Sequence, residues 1–378
     1  MRFGVIGWGL RKSIAKLAHR PDLGDHLVAL ADPDPAALAD FSAFAGPEAR
    51  TFPDVADLWS QPLDAVFVLS PDDLHETHGL DALSRQIPTY LEKPMAITVA
   101  GCDRLLAAAR THQTLLYVGH NMRHFPVIRR MKALIDAGTI GRVVAIWCRH
   151  FVSYGGDAYF TDWHADRRRT HGLLLQKGAH DIDVIHYLAG SYATRVTAMG
   201  QLAVYGDPGS RRPDDDPHHK AKFRQTWPPE ALRDQNPVVD VEDLNAVLLQ
   251  LGNGVQATYQ QCHFAPDAWR NYTVIGAHGR LENFGDVPSN ARIAVWNRAH
   301  PGYAPEPDAW HTFEDETGTH GGADARIIDE FRRALRGETE LAVDSVAARM
   351  SVAAGIAATD SLRNGNLPVK VTPYTPAS

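Results

Sequence analysis

Short unbroken apolar runs alternate with stretches of helical spacing over the first third of the chain. Phe3-Gly4-Val5-Ile6, Leu27-Val28-Ala29-Leu30-Ala31, Ala65-Val66-Phe67-Val68-Leu69, Thr89-Tyr90-Leu91 and Thr114 to Val118 read as strands. Ser13 to His19, Pro35 to Phe44, Leu74 to Ser84 and Val99 to Arg110 read as helices, with Pro35 at a first turn. Strands apolar on both faces predict a parallel sheet covered on both sides by crossover helices.

After residue 120 the pattern changes. Pro126 to Ala137 reads as a helix stopped by Gly138. Arg142 to Phe151, Arg195 to Val204, Asn245 to Leu251, Val255 to Tyr259, Tyr272 to Ile275 and Arg292 to Trp296 are strand candidates. Tight turns such as Gly252-Asn253-Gly254 join neighbours directly, which predicts antiparallel pairing. Ala323 to Leu335 and Val343 to Asn364 read as closing helices. The expectation is therefore an α/β domain over 1–120 and an α+β domain over 121–378. Residues 206–236 form a long loop rich in proline and charge, either mobile or a partner-binding arm. The pair His218-His219 lies within it.

Composition narrows the function classes. The 378 residues suffice for two domains with sizeable cores. A formal charge of -7 gives no support to nucleic-acid binding. No stretch approaches the ~18 consecutive apolar residues of a membrane span, and the N-terminus reads as a strand, not a signal peptide. Cys102, Cys148 and Cys262 form neither zinc spacing nor a disulfide framework, so a reducing cytoplasm is expected.

Candidate chemistry begins at Gly7-Trp8-Gly9, where the first strand ends. The first glycine permits a tight turn, and the second lets backbone approach a pyrophosphate held at a helix N-terminus. Lys12 occupies the third glycine position of the G-x-G-x-x-G fingerprint. Asp32 ends the second strand 25 positions after Gly7, near the ~20 expected of a ribose-binding acid. Its carboxylate suits NAD, whereas Arg11 and Lys12 keep NADP open. A glycine turn that merely closes a strand–helix corner is the bland alternative.

Glu92-Lys93-Pro94 follows the strand Thr89 to Leu91 at its carboxyl end, where open parallel sheets bind ligands. Pro94 restricts Lys93, which aims an ammonium at the crevice. A second constellation runs from Gln176-Lys177 through His180 and Asp183 to Leu188. Ile182, Ile185 and Leu188 form an apolar stripe at helical spacing, while Gln176, His180, Asp183 and Tyr187 share another face. Asp183 is placed to orient His180, leaving one ring nitrogen as a base near neutral pH. A capping histidine beside a solvated carboxylate is the alternative. His180, Asp181, Asp183 and His263 lack metal-ligand spacing, and no metal is assigned. Asp162-Trp163-His164-Ala165-Asp166-Arg167-Arg168-Arg169 mixes one large ring with many hydrogen-bonding groups. That suits a carbohydrate, an anionic substituent, or equally an ion-paired surface loop.

These residues together resemble the Gfo/Idh/MocA family of NAD(P)-dependent sugar and inositol oxidoreductases. The resemblance spans the chain and rests on Gly7-Trp8-Gly9, Asp32, Ser70-Pro71 with His75, Glu92-Lys93-Pro94, Gly119-His120-Asn121-Met122-Arg123 and His180-x-x-Asp183. It implies a Rossmann domain followed by a large open, mainly antiparallel sheet through which a homodimer or homotetramer forms. It implies a small carbohydrate substrate, with Lys93 on the reacting hydroxyl and His180 as the acid/base. Lys177 and Asp183 complete the implied catalytic set. Gly7, Trp8, Gly9, Leu10, Arg11, Asp32, Ser70, Pro71, Leu74, His75, Glu92, Lys93, Pro94, Asn121 and Trp163 are the implied cofactor contacts. Arg123, Tyr154, Trp163, His164, Arg168 and Lys177 join Lys93 and His180 around the substrate. Gln176 and His164 depart from the family's pattern, which commonly has Asp and Arg there. The expected activity is hydride transfer between a nicotinamide and a hydroxyl of a sugar, inositol or glycoside. The alternatives are a redox-neutral NAD-dependent glycoside hydrolase, possibly on an anionic sugar, and a non-catalytic sensor.

Overall fold

The computed structural model describes residues 1–213, 223–286, 291–313, 318–339, 341 and 344–376. The chain divides into two units. One comprises Met1–Asn121, Gly322–Arg349 and Tyr374–Ser378, and the other Met122–Gly321 and Met350–Pro373.

In the first unit the apolar runs form strands β1 (Arg2–Ile6), β2 (His26–Ala31), β3 (Arg50–Phe52), β4 (Ala65–Val68), β5 (Thr89–Leu91) and β6 (Leu116–Val118). All pairings are parallel, in the order β3-β2-β1-β4-β5-β6. This is the doubly wound Rossmann arrangement. Strand β3 has only three residues, with an exposed-to-intermediate burial pattern, and so carries no clear apolar signature. Helices Lys12–Ala18, Pro35–Ala45, His75–Ser84 and Val99–Thr111 fall within one or two residues of the predicted ones.

Residues 322–349, inside the stretch expected as the second domain, pack within the first unit. Helix Ala323–Leu335 carries Ile327, Ile328 and Phe331 on one face, all buried in that unit's core. The Phe331 ring lies 5.6 Å from Phe67, Tyr90 and Tyr117 alike, closing an aromatic cluster under the sheet. Linear reading cannot reveal which sheet an amphipathic helix will cover.

In the second unit nine strands make one mixed sheet. They are β7 (Val143–Phe151), β8 (Ala193–Gln201), β9 (Leu244–Leu251), β10 (Gln256–Cys262), β11 (Trp269–Gly276), β12 (Gly279–Phe284), β13 (Arg292–Trp296), β14 (Ala309–Thr312) and β15 (Val369–Lys370). Their order is β14-β13-β12-β11-β7-β10-β9-β8-β15, antiparallel except for the β7–β10 pair. Strands β12, β14 and β15 extend the predicted set. The helical run predicted from Gln176 is broken: Leu173–Gln176 forms a separate turn, and helix Gly178–Ala189 starts after it and packs on β7 and β10.

The described parts of 206–236 are held by hydrogen bonds and packing within the second unit. Asp157, buried, accepts hydrogen bonds from Arg224 N at 2.7 Å and Thr226 Oγ1 at 2.8 Å. Asn236 N bonds Phe160 O at 2.8 Å, and Leu232 packs with Tyr205 in a local core. Residues 214–222, including His218-His219, lie outside the described residues. No helix among the described residues is long and apolar enough to cross a membrane.

Candidate active site

The strand order of the first sheet reverses between β1 and β4, which leaves a crevice at their carboxyl ends. Gly7 leaves β1 with φ of +89°, and a Cβ there would meet Leu69 O at 2.8 Å and Ser70 N at 2.9 Å. Only glycine permits that turn against the end of β4. A Cβ on Gly9 would meet nothing within 4 Å, so its backbone is open to a close approach. Leu10, after Gly9, and Leu74, before His75, are both exposed. Asp32, at the end of β2, accepts from Trp8 N at 2.7 Å and from Asp34 N at 2.8 Å. A carboxylate has about four lone-pair sites, so two amides leave capacity for ribose hydroxyls. These residues fit a dinucleotide.

Three residues implied as cofactor contacts have partners within the protein. The Trp8 side chain is buried edge-on against Phe41 and donates to Asp40 Oδ2 at 2.6 Å, so only its backbone faces the turn. Arg11 Nε donates to Glu92 Oε1 at 2.6 Å, and its other end lies 3.4 Å from Asp324 Oδ1. Asn121 Nδ2 also donates to Asp324 Oδ1, at 2.9 Å. Lys12 Nζ is bound to Asp40 at 2.9 Å. Both cations that kept NADP open are thus engaged by carboxylates.

The same network fixes Lys93. Glu92 is buried, and its second oxygen accepts from Lys93 N at 2.7 Å. Burial works against the Glu92 charge, but Arg11 and Lys93 outweigh it and hold the carboxyl below its ordinary range. The Lys93–Pro94 peptide is cis. His75, 1% exposed, places its ring nitrogens 2.6 Å from Pro94 O and 2.8 Å from Ser70 O. Burial lowers its pKa, and the neutral ring ties the Ser70-Pro71 turn to the Lys93-Pro94 turn. It shapes the groove from behind.

In the second unit His180 is the third residue of its helix and partly exposed. The start of that helix is anchored by Asp181, 0% exposed, which lies 2.9 Å from Arg270 Nε and 3.0 Å from both His150 Nδ1 and Tyr259 Oη, and accepts from Tyr272 Oη. Burial, then Arg270, pushes His150 down to about 3, so its contact with Asp181 is a hydrogen bond from a neutral ring, not an ion pair. Gly178 allows the helix to begin here, since a Cβ would meet Tyr259 Cε1 at 3.0 Å.

Lys177 precedes the helix and donates to Tyr154 Oη at 3.3 Å. Burial opposes its charge, but the phenols of Tyr154 and Tyr159 raise its pKa on balance. Lys177 is therefore a standing ammonium. Tyr154 is presented by Gly155 and Gly156, whose added Cβ atoms would meet His263 O at 2.2 Å and Tyr205 Oη at 2.7 Å. Trp163 and His164 stack at 3.9 Å, and His164 meets Tyr159 edge-on.

Other expectations shift. Both carboxylate oxygens of Asp183 accept from Arg123, Oδ2 from Nε at 2.8 Å and Oδ1 from Nη2 at 2.7 Å. Arg123 lies over the Tyr187 ring, so this pair ties the helix down, a role not foreseen for either residue. Arg168 binds Asp166 and its side chain is 71% exposed, Arg167 pairs with Asp240, and Arg169 covers Trp163. Two of the three arginines thus carry ion pairs and the third covers a ring. Among the described residues no group of three or more His, Cys, Asp or Glu could hold a metal.

Residues 1–120 match the family profile described as an NAD-binding Rossmann fold of the Gfo/Idh/MocA oxidoreductases, and 132–371 match that family's C-terminal alpha/beta domain. The chain belongs to the Gfo/Idh/MocA family. YteT of Bacillus subtilis (strain 168), an oxidoreductase by name alone, is 25% identical over 71% of this chain and 72% of its own length. An inositol 2-dehydrogenase of Ralstonia nicotianae is 34% identical over 50% of this chain, and the match spans 55% of that enzyme. A levoglucosan dehydrogenase solved with NADH and levoglucosan superposes with a TM-score of 0.76 at 18% identity, covering 98% of this chain and 99% of that one. The first unit is thus the family's NAD-binding domain.

Sequence reasoning did not find Asp324, Arg270, Tyr159, Tyr259 or Tyr272. Each lies far from its partners in sequence. Asp324 alone had a local signal, as an acid at the start of an amphipathic helix.

Proposed function

We propose that this chain catalyses hydride transfer between NAD and a hydroxyl of a sugar, inositol or glycoside. Lys93 hydrogen-bonds the reacting hydroxyl, and His180 exchanges its proton. When bound, NAD supplies the hydride acceptor. The observation that carries the reading is the β1 crevice of a family NAD-binding domain, with open backbone at Gly9, the Asp32 carboxylate beside it and Lys93 fixed at the end of β5. The named dehydrogenase relatives support net oxidation or reduction over redox-neutral hydrolysis. An early helical position disfavours the His180 imidazolium through the macrodipole, which suits a base. Trp163 and His164 offer a stacking face for a sugar ring.

The open face of the second sheet supports a homodimer or homotetramer. Trp147, Leu248 and Met199 are exposed there, with Arg280 over Trp296 and Arg292 over Trp310. Three free cysteines fit a cytoplasmic setting. The test is NAD reduction with a panel of inositols, aldoses and glycosides. Lys93→Ala and His180→Ala each lose about 10²–10⁴-fold in turnover while NAD still binds. Full activity in either variant removes that residue from the mechanism.

A further inference from the structure

Lys177 is an ammonium whose polar neighbours are phenols. It donates to Tyr154 Oη at 3.3 Å and lies 5.7 Å from the Tyr154 ring centre and 5.6 Å from that of Tyr159. No carboxylate of the described residues is within ion-pair distance of it, and the phenols of Tyr154 and Tyr159 are the main groups favouring its charge. An enclosed cation without a counter-ion stabilises the charged form of whichever neighbour can ionise. Tyr159 is almost fully buried, and burial raises its pKa. Tyr154 is half-buried and its hydroxyl accepts a hydrogen bond from Lys177 at 3.3 Å.

We propose that Tyr154 and Lys177 form a phenol–ammonium acid/base pair, a second proton-transfer group one helical turn from His180. Lys177 stands three residues before His180 with helical backbone angles, so the two side chains share a face. In the oxidative direction the O–H bond of the substrate hydroxyl breaks, its proton passes to His180, and His180 hands it on to the Tyr154 phenolate. The C–H electron pair leaves as hydride for the nicotinamide oxidant, and the carbonyl forms. In reduction the phenol returns the proton to the carbonyl oxygen through His180. The inference rests on the oxidoreductase reading for its substrate, but not for the pair itself.

The charged groups that act on Tyr154 are Lys177 and Arg270, which favour the phenolate, and Asp286, which opposes it; the Phe223 ring lies 6.2 Å away and adds no charge. Lys177 is the largest influence and lowers the phenol's pKa, ahead of burial, which raises it. Oxidation needs the phenolate, so its rate rises with pH through that pKa. Removing the Lys177 charge moves the rise to higher pH.

The experiment follows tyrosinate absorbance during pH titration of the full chain without cofactor. One of the 11 tyrosines ionises ahead of the others in the wild type. That early step is absent in Tyr154→Phe, joins the bulk in Lys177→Met and is retained in Lys177→Arg, which keeps the charge and controls for misfolding. An early step that survives in Tyr154→Phe overturns the pairing. On a polyol that turns over with NAD, Tyr154→Phe loses about a hundredfold, and Lys177→Met shifts the pH profile upward. An unchanged rate and profile in Tyr154→Phe overturns the catalytic role. If no polyol turns over while the titration result holds, the oxidoreductase reading has failed and the pair has not.

Discussion

Asp181→Asn probes what holds the start of the His180 helix. The wild-type carboxylate is fully buried and meets four groups: the Arg270 guanidinium at 2.9 Å, His150 Nδ1 and Tyr259 Oη at 3.0 Å, and the Tyr272 hydroxyl. The amide keeps the volume but removes the charge and turns one acceptor into a donor that faces other donors. Breaking a buried ion pair costs about 3–5 kcal/mol, because the remaining charge stays buried. Arg270 retains Asp286 at 3.5 Å, which places the loss near the lower end, about 3 kcal/mol. The assay is hydrogen exchange at the amides of 179–185, whose opening free energy reads this unit by itself. Adding Arg270→Met removes the stranded cation and recovers part of the loss, which a double-mutant cycle quantifies. Burial raises the Asp181 pKa, but Arg270 and the hydrogen-bond donors outweigh it, so the folded value lies below the ordinary carboxylate range. The stabilisation is therefore complete above the unfolded pKa of ~3.9 and fades as pH falls below it. A loss under about 1 kcal/mol at neutral pH, or no recovery in the double variant, refutes the anchoring argument.

Phe331→Ala removes the ring shared by Phe67, Tyr90 and Tyr117 and costs about 3–5 kcal/mol, read from exchange of the β4–β6 amides; a cost below about 1 kcal/mol shows that the helix does not complete that core. Asp324→Asn leaves Arg11 with Glu92 alone and loosens the turn before Lys12; NAD affinity falls severalfold while the affinity ratio of NAD to NADP is preserved, as calorimetry would show. Asp32→Ala instead weakens NAD by about 1.5–3 kcal/mol, the worth of a hydrogen bond to a charged group, and narrows the preference over NADP. An unaltered ratio means that Asp32 does not read the ribose.

Much of the fold was legible because local chemistry and tertiary role coincide. Strands β1, β2, β4 and β5 are apolar on both faces, and a chain with such runs separated by helical stretches has essentially one way to bury them. Gly7 and Asp32 were readable for a similar reason: a positive φ demands glycine, and a carboxylate ending the second strand has a known geometric meaning. Lys93 follows β5 and His180 stands in the first turn of its helix, as their positions in the sequence suggested. Strand β3 and the break at Lys177 were not, because their signals are weaker than one turn of periodicity.

What sequence could not assign was pairing. Arg11 looked like a phosphate ligand, Arg123 and Arg168 like substrate contacts and Asp183 like a partner of His180, since each has the right charge in the right neighbourhood. In the folded chain Glu92, Asp183 and Asp166 pair with those guanidinium groups, and Asp181 draws donors from three strands. A charge in a buried setting must find compensation, but which opposite charge or donor supplies it depends on distances between segments far apart in sequence. The residues at hand determined the elements, their order and the type of chemistry. Only the folded chain decided which ionisable groups neutralise one another as scaffold, and that Lys177 sits beside the Tyr154 hydroxyl and not beside a carboxylate.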